Sequence, residues 1–512
     1  MTMRAKKLCA LFLALAMALS LCSCWEEDEK TDDFWNEELP LEEEPPQQQT
    51  ARISAFALPY LSNQTLDPVT CVDGIQQAVG ALLYEGLFAL DETFSVQNVL
   101  CRDYTYDAEK HAYTFSLREN VTFSDGSLLS VTDVLSAYRR AAGSERYAAR
   151  FENVASMHIV NGALVVTLNK DNSAFPALLD IPIVKSGSEK NLVPLGTGPY
   201  LFLTDNEGAC LVRNGDWWRS SALPLDRIAL VPARDNSTGS SLFSSYDTHL
   251  LVSDLTAAGS DGSFGSVDLF DADSAAMLYL GFNTRHAPLK SSALRCAMST
   301  AFDRDVIVST LLSGHARATR FPISPRAALY PDDLSAPAAS YAQALSDERV
   351  TDAHPKELTL LVNEESSFRC SVAEHLCRRL SVGALSVTLR AVPWEDYLKA
   401  LETGDFDLYL GEARLTADWN AATLIGTGGK LNYGGYTDPE SDRLLAAFLS
   451  DENTTTAQAY LRYFAASAPI APICFKSVST QIPAGLAEGL TPTAQNPFYN
   501  FENWTFHLDT QP

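Results

Sequence analysis

The stretch YTFSLRENVTFSDGSLLSVTDV, residues 113–134, carries three structural signals in a row. YTFSL (113–117) is rich in aromatic and β-branched residues and reads as a strand. FSDG (123–126) reads as a turn drawn tight by Gly126. Ser130 then opens a helix, with Asp133 at the third position to complete the cap. Working outward, ALVVTL (163–168), LTLLV (358–362) and SVTLRAV (386–392) give further strands. Helices announce themselves between them. Ser371 and Glu374 are expected to form a capping box ahead of Val372, Leu376 and Leu380. Asp438-Pro439 opens a helix that turns Leu444, Leu445 and Phe448 inward. Asp303 can cap one carrying Val306, Ile307 and Leu311, closed by Gly314. The fold class is α/β, with no repeat of solenoid period.

The ends are different in kind. Arg4, Lys6 and Lys7 precede an apolar run from Leu8 to Leu21, too short for a comfortable membrane span and suited to a signal peptide over 1–23. The run ends in Leu21-Cys22-Ser23-Cys24, which resembles a bacterial lipobox. Cys24, after small Ser23, is the expected lipid-anchor residue; Cys22 follows bulky Leu21. An ordinary secretory signal or an uncleaved anchor is the alternative. Residues 24–50 form an acidic, Pro-containing tether that should stay extended and disordered, because like charges repel and little apolar surface is available to bury. Trp25, Phe34 and Trp35 within it have no account.

From Ala51 onward about 460 residues remain, enough for two or three domains. The formal charge is −26, of which the tether supplies about ten negatives. So acidic a body repels phosphate backbones, which argues against nucleic-acid partners. Seven cysteines follow Cys24, and an odd number leaves at least one free thiol in a monomer. Cys370 and Cys377 sit two helical turns apart, roughly 10 Å, too far to bridge.

No metal or cofactor site is expected. There is no HExxH, no GxSxG, and the His residues lack ligand spacing. Gly196-Thr197-Gly198-Pro199-Tyr200 is a chain re-entry turn, because Pro199 and the missing Lys exclude a phosphate loop. Gly426–Lys430 lacks the P-loop spacing and is a plain loop. Tyr84-Glu85-Gly86-Leu87 is expected to turn a helix onto a strand, with Gly86 at the helix end.

Several segments in order resemble family 5 extracellular solute-binding proteins, the oligopeptide- and dipeptide-binding group. They are LDPV and LLYEGLFALD within 66–91, residues 113–134 above, PLGTGPYLF (194–202) and RNGDWW (213–218). LGFNTRHAPLKSSALRCAMSTAFDRD (280–305), with Arg295 and Asp303, then GDFDLYL (404–410), ADWN (417–420) and LNYGGYTDPESD (431–442) complete the set. The resemblance implies a two-lobed periplasmic-binding-protein-like clamp of type II with an extra inserted domain. Domain I would comprise 51–95, 193–283 and 479–512, domain II 96–192, and domain III 284–478. Two hinge crossings, near 283 and 478, would let the lobes close on ligand.

It also implies a function without catalysis. The chain would be an extracytoplasmic lipoprotein, monomeric and lipid-anchored to the outer face of the cell membrane. It would capture a peptide or other small solute for an ABC permease with its ATPase subunits. A sensory lipoprotein using the same clamp, or a secreted hydrolase, is the alternative. Asp418 takes the place of the acid that grips a ligand's α-ammonium, a charge-assisted contact, flanked by Trp419 and Asn420. Arg414 could reach a ligand carboxylate or pair with Glu412. Asp73 falls where some members place a second acidic contact. Leu415 replaces an aromatic residue common three positions before the acid, and the usual Asp/Glu-Pro after Asn420 is missing, so the ligand is more open than the fold.

Overall fold

The computed structural model describes residues 53–219, 221–257, 266–334 and 340–509, so Cys24 and the tether lie outside the described residues. Two long antiparallel strands, Val267–Phe282 and Ile470–Pro483, run side by side from the Val267–Pro483 pair to the Gly281–Ile470 pair. Their register shifts between Asp273 and Met277 and again between Leu278 and Tyr279. Leu408–Arg414 pairs antiparallel with the first of them, Lys356–Asn363 lies parallel to Leu408–Arg414, and Leu385–Val392 forms the parallel edge. Leu251–Ser253 and Ala316–Ala318 pair with different parts of Ile470–Pro483, completing seven strands.

Alternation along these strands builds two cores, because successive side chains point to opposite faces. Leu278, Leu280, Phe282, Leu358, Leu360 and Leu408 share one, beneath the helices Ser292–Thr300 and Ser367–Leu380. Met277, Tyr279, Leu361, Tyr409 and Phe475 share the other, with helices Trp394–Thr403, Pro439–Ser450 and Thr454–Ser467. Both faces are covered, which explains the long apolar runs. Gly281 and Gly411 are forced by this packing: a Cβ on Gly281 would lie 2.0 Å from the Tyr409 ring, and one on Gly411 2.6 Å from the Tyr279 ring.

A second body is a four-stranded antiparallel sheet in the order Cys101–Asp107, Ala112–Leu117, Ala163–Leu168, Val154–Val160. Helix Val131–Ala142 closes it through Val134 and Tyr138, which pack with Phe115, Leu164 and Val166. The expected cap is present: Ser130 N–H donates to the Asp133 carboxylate at 2.9 Å. A third body joins Ala57–Tyr60, parallel, to Arg227–Pro232, followed by Gly208–Arg213 and Tyr200–Asp205. The C-terminal aromatics Phe498, Phe501 and Trp504 pack into its core.

Three local expectations are corrected. The helix expected to start at Ser371 spans Ser367–Leu380, and Ser366 is its cap, accepting from the Arg369 N–H. The preceding strand ends at Asn363, whose side chain turns the chain by accepting from Glu365 N–H, so the helix starts as soon as a Ser is available. Gly86 does not end a helix. That helix is Gly74–Gly80, and Gly86 bridges Pro182 so closely that a Cβ would meet the Ile181 carbonyl at 2.9 Å. Asp303 caps its helix as expected, accepting from the Asp305 and Val306 N–H groups, but the helix widens to π geometry over Ile307–Leu311, and Ile307 is buried while Val306 faces outward.

Candidate functional site

Strand Leu408–Arg414 runs out of the large sheet, and the loop after it carries the ADWN segment. Leu415 N–H donates to the Ala275 carbonyl, Trp419 N–H to the Thr416 carbonyl, and Trp419 adopts a left-handed backbone (φ 55). That tight loop swings the Trp419 ring into the core, edge-on to Phe475 at 5.6 Å and to Phe94 at 4.9 Å. Asn420 is absorbed locally, its side-chain oxygen accepting from Ala422 N–H at the start of a short helix.

Asp418 is only 2% exposed. Its Oδ1 accepts from the Thr416 hydroxyl at 2.5 Å and from Asn420 N–H at 3.4 Å. Its Oδ2 accepts from the Asn172 side-chain amide at 2.8 Å, a donor that belongs to the small-sheet body. All three donors are neutral, so no cation offsets the buried charge within ion-pair distance among the described residues. Glu452, on the turn between helices Pro439–Ser450 and Thr454–Ser467, faces the same spot. Burial, reinforced by the Asp418 charge, pushes its carboxyl up to about 7.

Arg414 sits four residues before Asp418 and is an exposed residue with several charged groups near it. Burial lowers its pKa below the usual arginine value, Glu412 and Asp254 partly offset this, and Arg146 and Arg150 add to it. No acid lies within ion-pair distance of Arg414 among the described residues. Glu412, its possible partner, is instead taken by Arg369 at 2.8 Å and Lys476 at 3.2 Å, and Lys476 also binds Asp254 at 2.5 Å. Arg146 is fixed by the Cys71 carbonyl and Gln77, both at 3.0 Å, and Arg150 is paired with Asp180. Among the described residues, Arg414 is thus the one member of this basic trio without a fixed partner.

Asp73 caps helix Gly74–Gly80 by accepting from Ile75 N–H at 2.9 Å, on the segment that holds Arg146. The acid buried in that region is Asp67, paired with Arg140. The structure therefore places Arg414 at a strand end and Asp418 in the loop that follows it, directs Trp419 to the core, and gives Asp73 a capping task. Asn172, Glu452, Arg146 and Arg150 were missed from sequence, since nothing local marks them and only tertiary packing assembles them. Two cavities lie away from this spot. One of about 160 Å³ is lined by Glu85, Phe88, Trp217, Arg219, Phe498 and Glu502, and another, about 530 Å³, by Arg304, Arg320 and Tyr330 among others.

Residues 95–431 match the family model described as "Bacterial extracellular solute-binding proteins, family 5 Middle". The chain is similar to the glutathione-binding protein GsiB of Salmonella typhi, 28% identical over 268 residues, which are 49% of this chain and 52% of that protein. GsiB of Escherichia coli K12 is 27% identical over the same coverage. The match thus spans about half the length of these curated relatives. Among solved structures, the periplasmic murein tripeptide-binding protein MppA in its unliganded open form aligns at TM-score 0.73 and 19% identity, covering 89% of this chain and 98% of that one. NikZ from Campylobacter jejuni, solved with Ni(L-His), aligns at TM-score 0.61 and 19% identity, over 88% and 99%. At such identities the structural likeness speaks for the clamp fold alone.

Proposed function

The chain belongs to family 5 of the bacterial extracellular solute-binding proteins, whose members bind solutes and are not enzymes, and we propose that it captures a zwitterionic solute of peptide type. In this reading it acts outside the membrane, anchored through Cys24, and hands its cargo to an ABC permease. The observation that carries it is the placement of Arg414 at the end of a strand and of Asp418 four residues on, in the loop that follows. Among the described residues the acid has only neutral donors, and the arginine has no acid within ion-pair distance. An ammonium would engage the first and a carboxylate the second, each by charge-assisted hydrogen bonds. Trp419 and Asn420 hold the loop that presents Asp418, and Asp73 holds the helix end beside Arg146.

The relative GsiB named above is a glutathione-binding protein, and glutathione is amino acid-derived, which supports this class. The two register shifts in the long strand pair are our choice of hinge, because pairing is weakest there. Bending at that point would move the small-sheet body against the large one.

Mass spectrometry of whatever co-purifies with the protein tests the class. A species with both a free amine and a free carboxylate is expected. Recovery of an uncharged sugar, released only on denaturation, overturns the proposal.

A further inference from the structure

Loop 171–173 of the small-sheet body reaches across to the large one at two consecutive residues, Asn172 and Ser173. Ser173 N–H donates to the Leu449 carbonyl at 2.9 Å, and Glu452 N–H donates to the Ser173 hydroxyl at 2.8 Å. Asn172 Nδ2 donates to Asp418 at 2.8 Å, spanning 246 positions of sequence. Asp171 is held from its own sheet by Tyr106 and by His111 at 2.7 Å. Tyr113, from the central strand of that sheet, donates to the Asn172 carbonyl at 2.9 Å and keeps the loop presented. Asn172 is only 3% exposed, so both its amide and the carboxylate it meets have given up water for each other.

We propose that Asn172 is a positioning residue that latches the small-sheet body onto the large one through Asp418, and so couples occupancy of Asp418 to closure of the clamp. The geometry favours a latch over a local loop brace. The Asn172 side-chain oxygen already serves its own loop, accepting from Ala174 N–H at 3.1 Å. The nitrogen is left for the other body and finds the one carboxylate placed in the ligand segment. A neutral amide is also a fitting donor there: it holds the acid while leaving its charge uncompensated, so an incoming cation still gains by binding. What the latch is for rests on the reading of Asp418 as a ligand grip; that the latch exists does not.

Asn172→Asp separates the two roles, since Asp keeps the acceptor for Ala174 but loses the donor. It also sets a third carboxylate against Asp418 and Glu452, with Tyr113 and the Asp171–His111 pair the other titratable groups at hand. Hydrogen exchange on the ligand-free full-length protein at pH 8 reads the outcome at residues 449–453 and 171–175. Exchange there is expected to rise at least roughly tenfold, while strand Ala163–Leu168 stays protected. Lowering the pH to about 5 should reduce the excess relative to wild type. Adding Asp418→Asn to Asn172→Asp reverses donor and acceptor and should restore wild-type protection to within about twofold. Wild-type exchange in Asn172→Asp, or no recovery in the double variant, overturns the latch. Titrating trialanine into Asp418→Ala asks the separate question of the grip, and failure there leaves the exchange result standing.

Discussion

Glu85 accepts the indole N–H of Trp218 at 2.8 Å across 133 positions of sequence. The same carboxylate accepts the Trp217 indole at 3.2 Å and the Thr197 hydroxyl at 3.0 Å. It thus ties YEGL, GTGPY and GDWW, three segments that are far apart in the chain, into one knot of the third body. Burial raises its pKa, and the three hydrogen bonds together with the nearby Arg219 charge keep a carboxylate tolerable there.

That knot makes an isosteric change costly. Glu85→Gln keeps the volume but must turn an NH₂ toward an indole N–H, leaving donors facing each other. A loss of about 1–3 kcal/mol is expected in urea unfolding, and Glu85→Ala should lose at least as much. A Glu85→Gln midpoint equal to wild type would remove the knot from the list of what holds this body together.

Arg295 gives a second stability prediction. Its guanidinium donates to four carbonyls, those of Ala468, Ser467, Leu289 and Lys290, at 2.6–2.9 Å. Two of these close the C-terminal end of helix Thr454–Ser467, where Ala468 is left-handed. Lysine has the charge but not the planar fork, and cannot serve all four. Arg295→Lys should lower stability by roughly 2–4 kcal/mol, read as a drop in thermal midpoint. No drop would mean that water or a neighbour satisfies these carbonyls as well as the arginine does.

Much of the scaffold was legible because its signals are local. YTFSL became Ala112–Leu117, and Asp438-Pro439 opened Pro439–Ser450 as expected, with Leu445 and Phe448 buried. Ser371 misled because two serines offer a cap, and where the previous strand stops decides between them; that is a tertiary fact. The candidate site was legible only in part. Arg414 ends a strand and Asp418 lies in the loop that follows, so a short motif finds both. Asn172 and Glu452 reach the spot from other elements, and no local pattern marks a side chain whose partner is hundreds of residues away. Gln77 and the Cys71 carbonyl hold Arg146 by the same kind of distant contact.

Ligand chemistry can be separated end by end. With trialanine as probe, Asp418→Ala should weaken binding at least about tenfold, the loss expected for one charge-assisted contact. N-acetylated trialanine should bind wild type equally poorly and show little further loss in the variant. Arg414→Ala should mirror this with a C-terminal amide. Calorimetric titration that finds equal affinities for free and blocked termini would dissociate both residues from the ligand.

Glu452 supplies the pH dependence. Its carboxyl is raised to about 7, first by burial and then by Asp418, whereas an unfolded Glu titrates near 4.3. Between those values the folded chain holds a proton that the unfolded chain has released. The favourable contribution is therefore complete below about pH 4.3 and is lost as pH rises through about 7. Because Glu452 is only partly buried, solvent screening limits the effect to about 1–2 kcal/mol. Glu452→Gln cannot ionise and should lack this component. The stability difference, variant minus wild type, is expected to grow by that amount from pH 5 to pH 8 in parallel urea titrations. Other groups titrate over the same range in both proteins and cancel in the difference. A difference that stays flat with pH would place Glu452 in solvent, clear of Asp418, and a difference that shrinks would reverse the sign of their interaction.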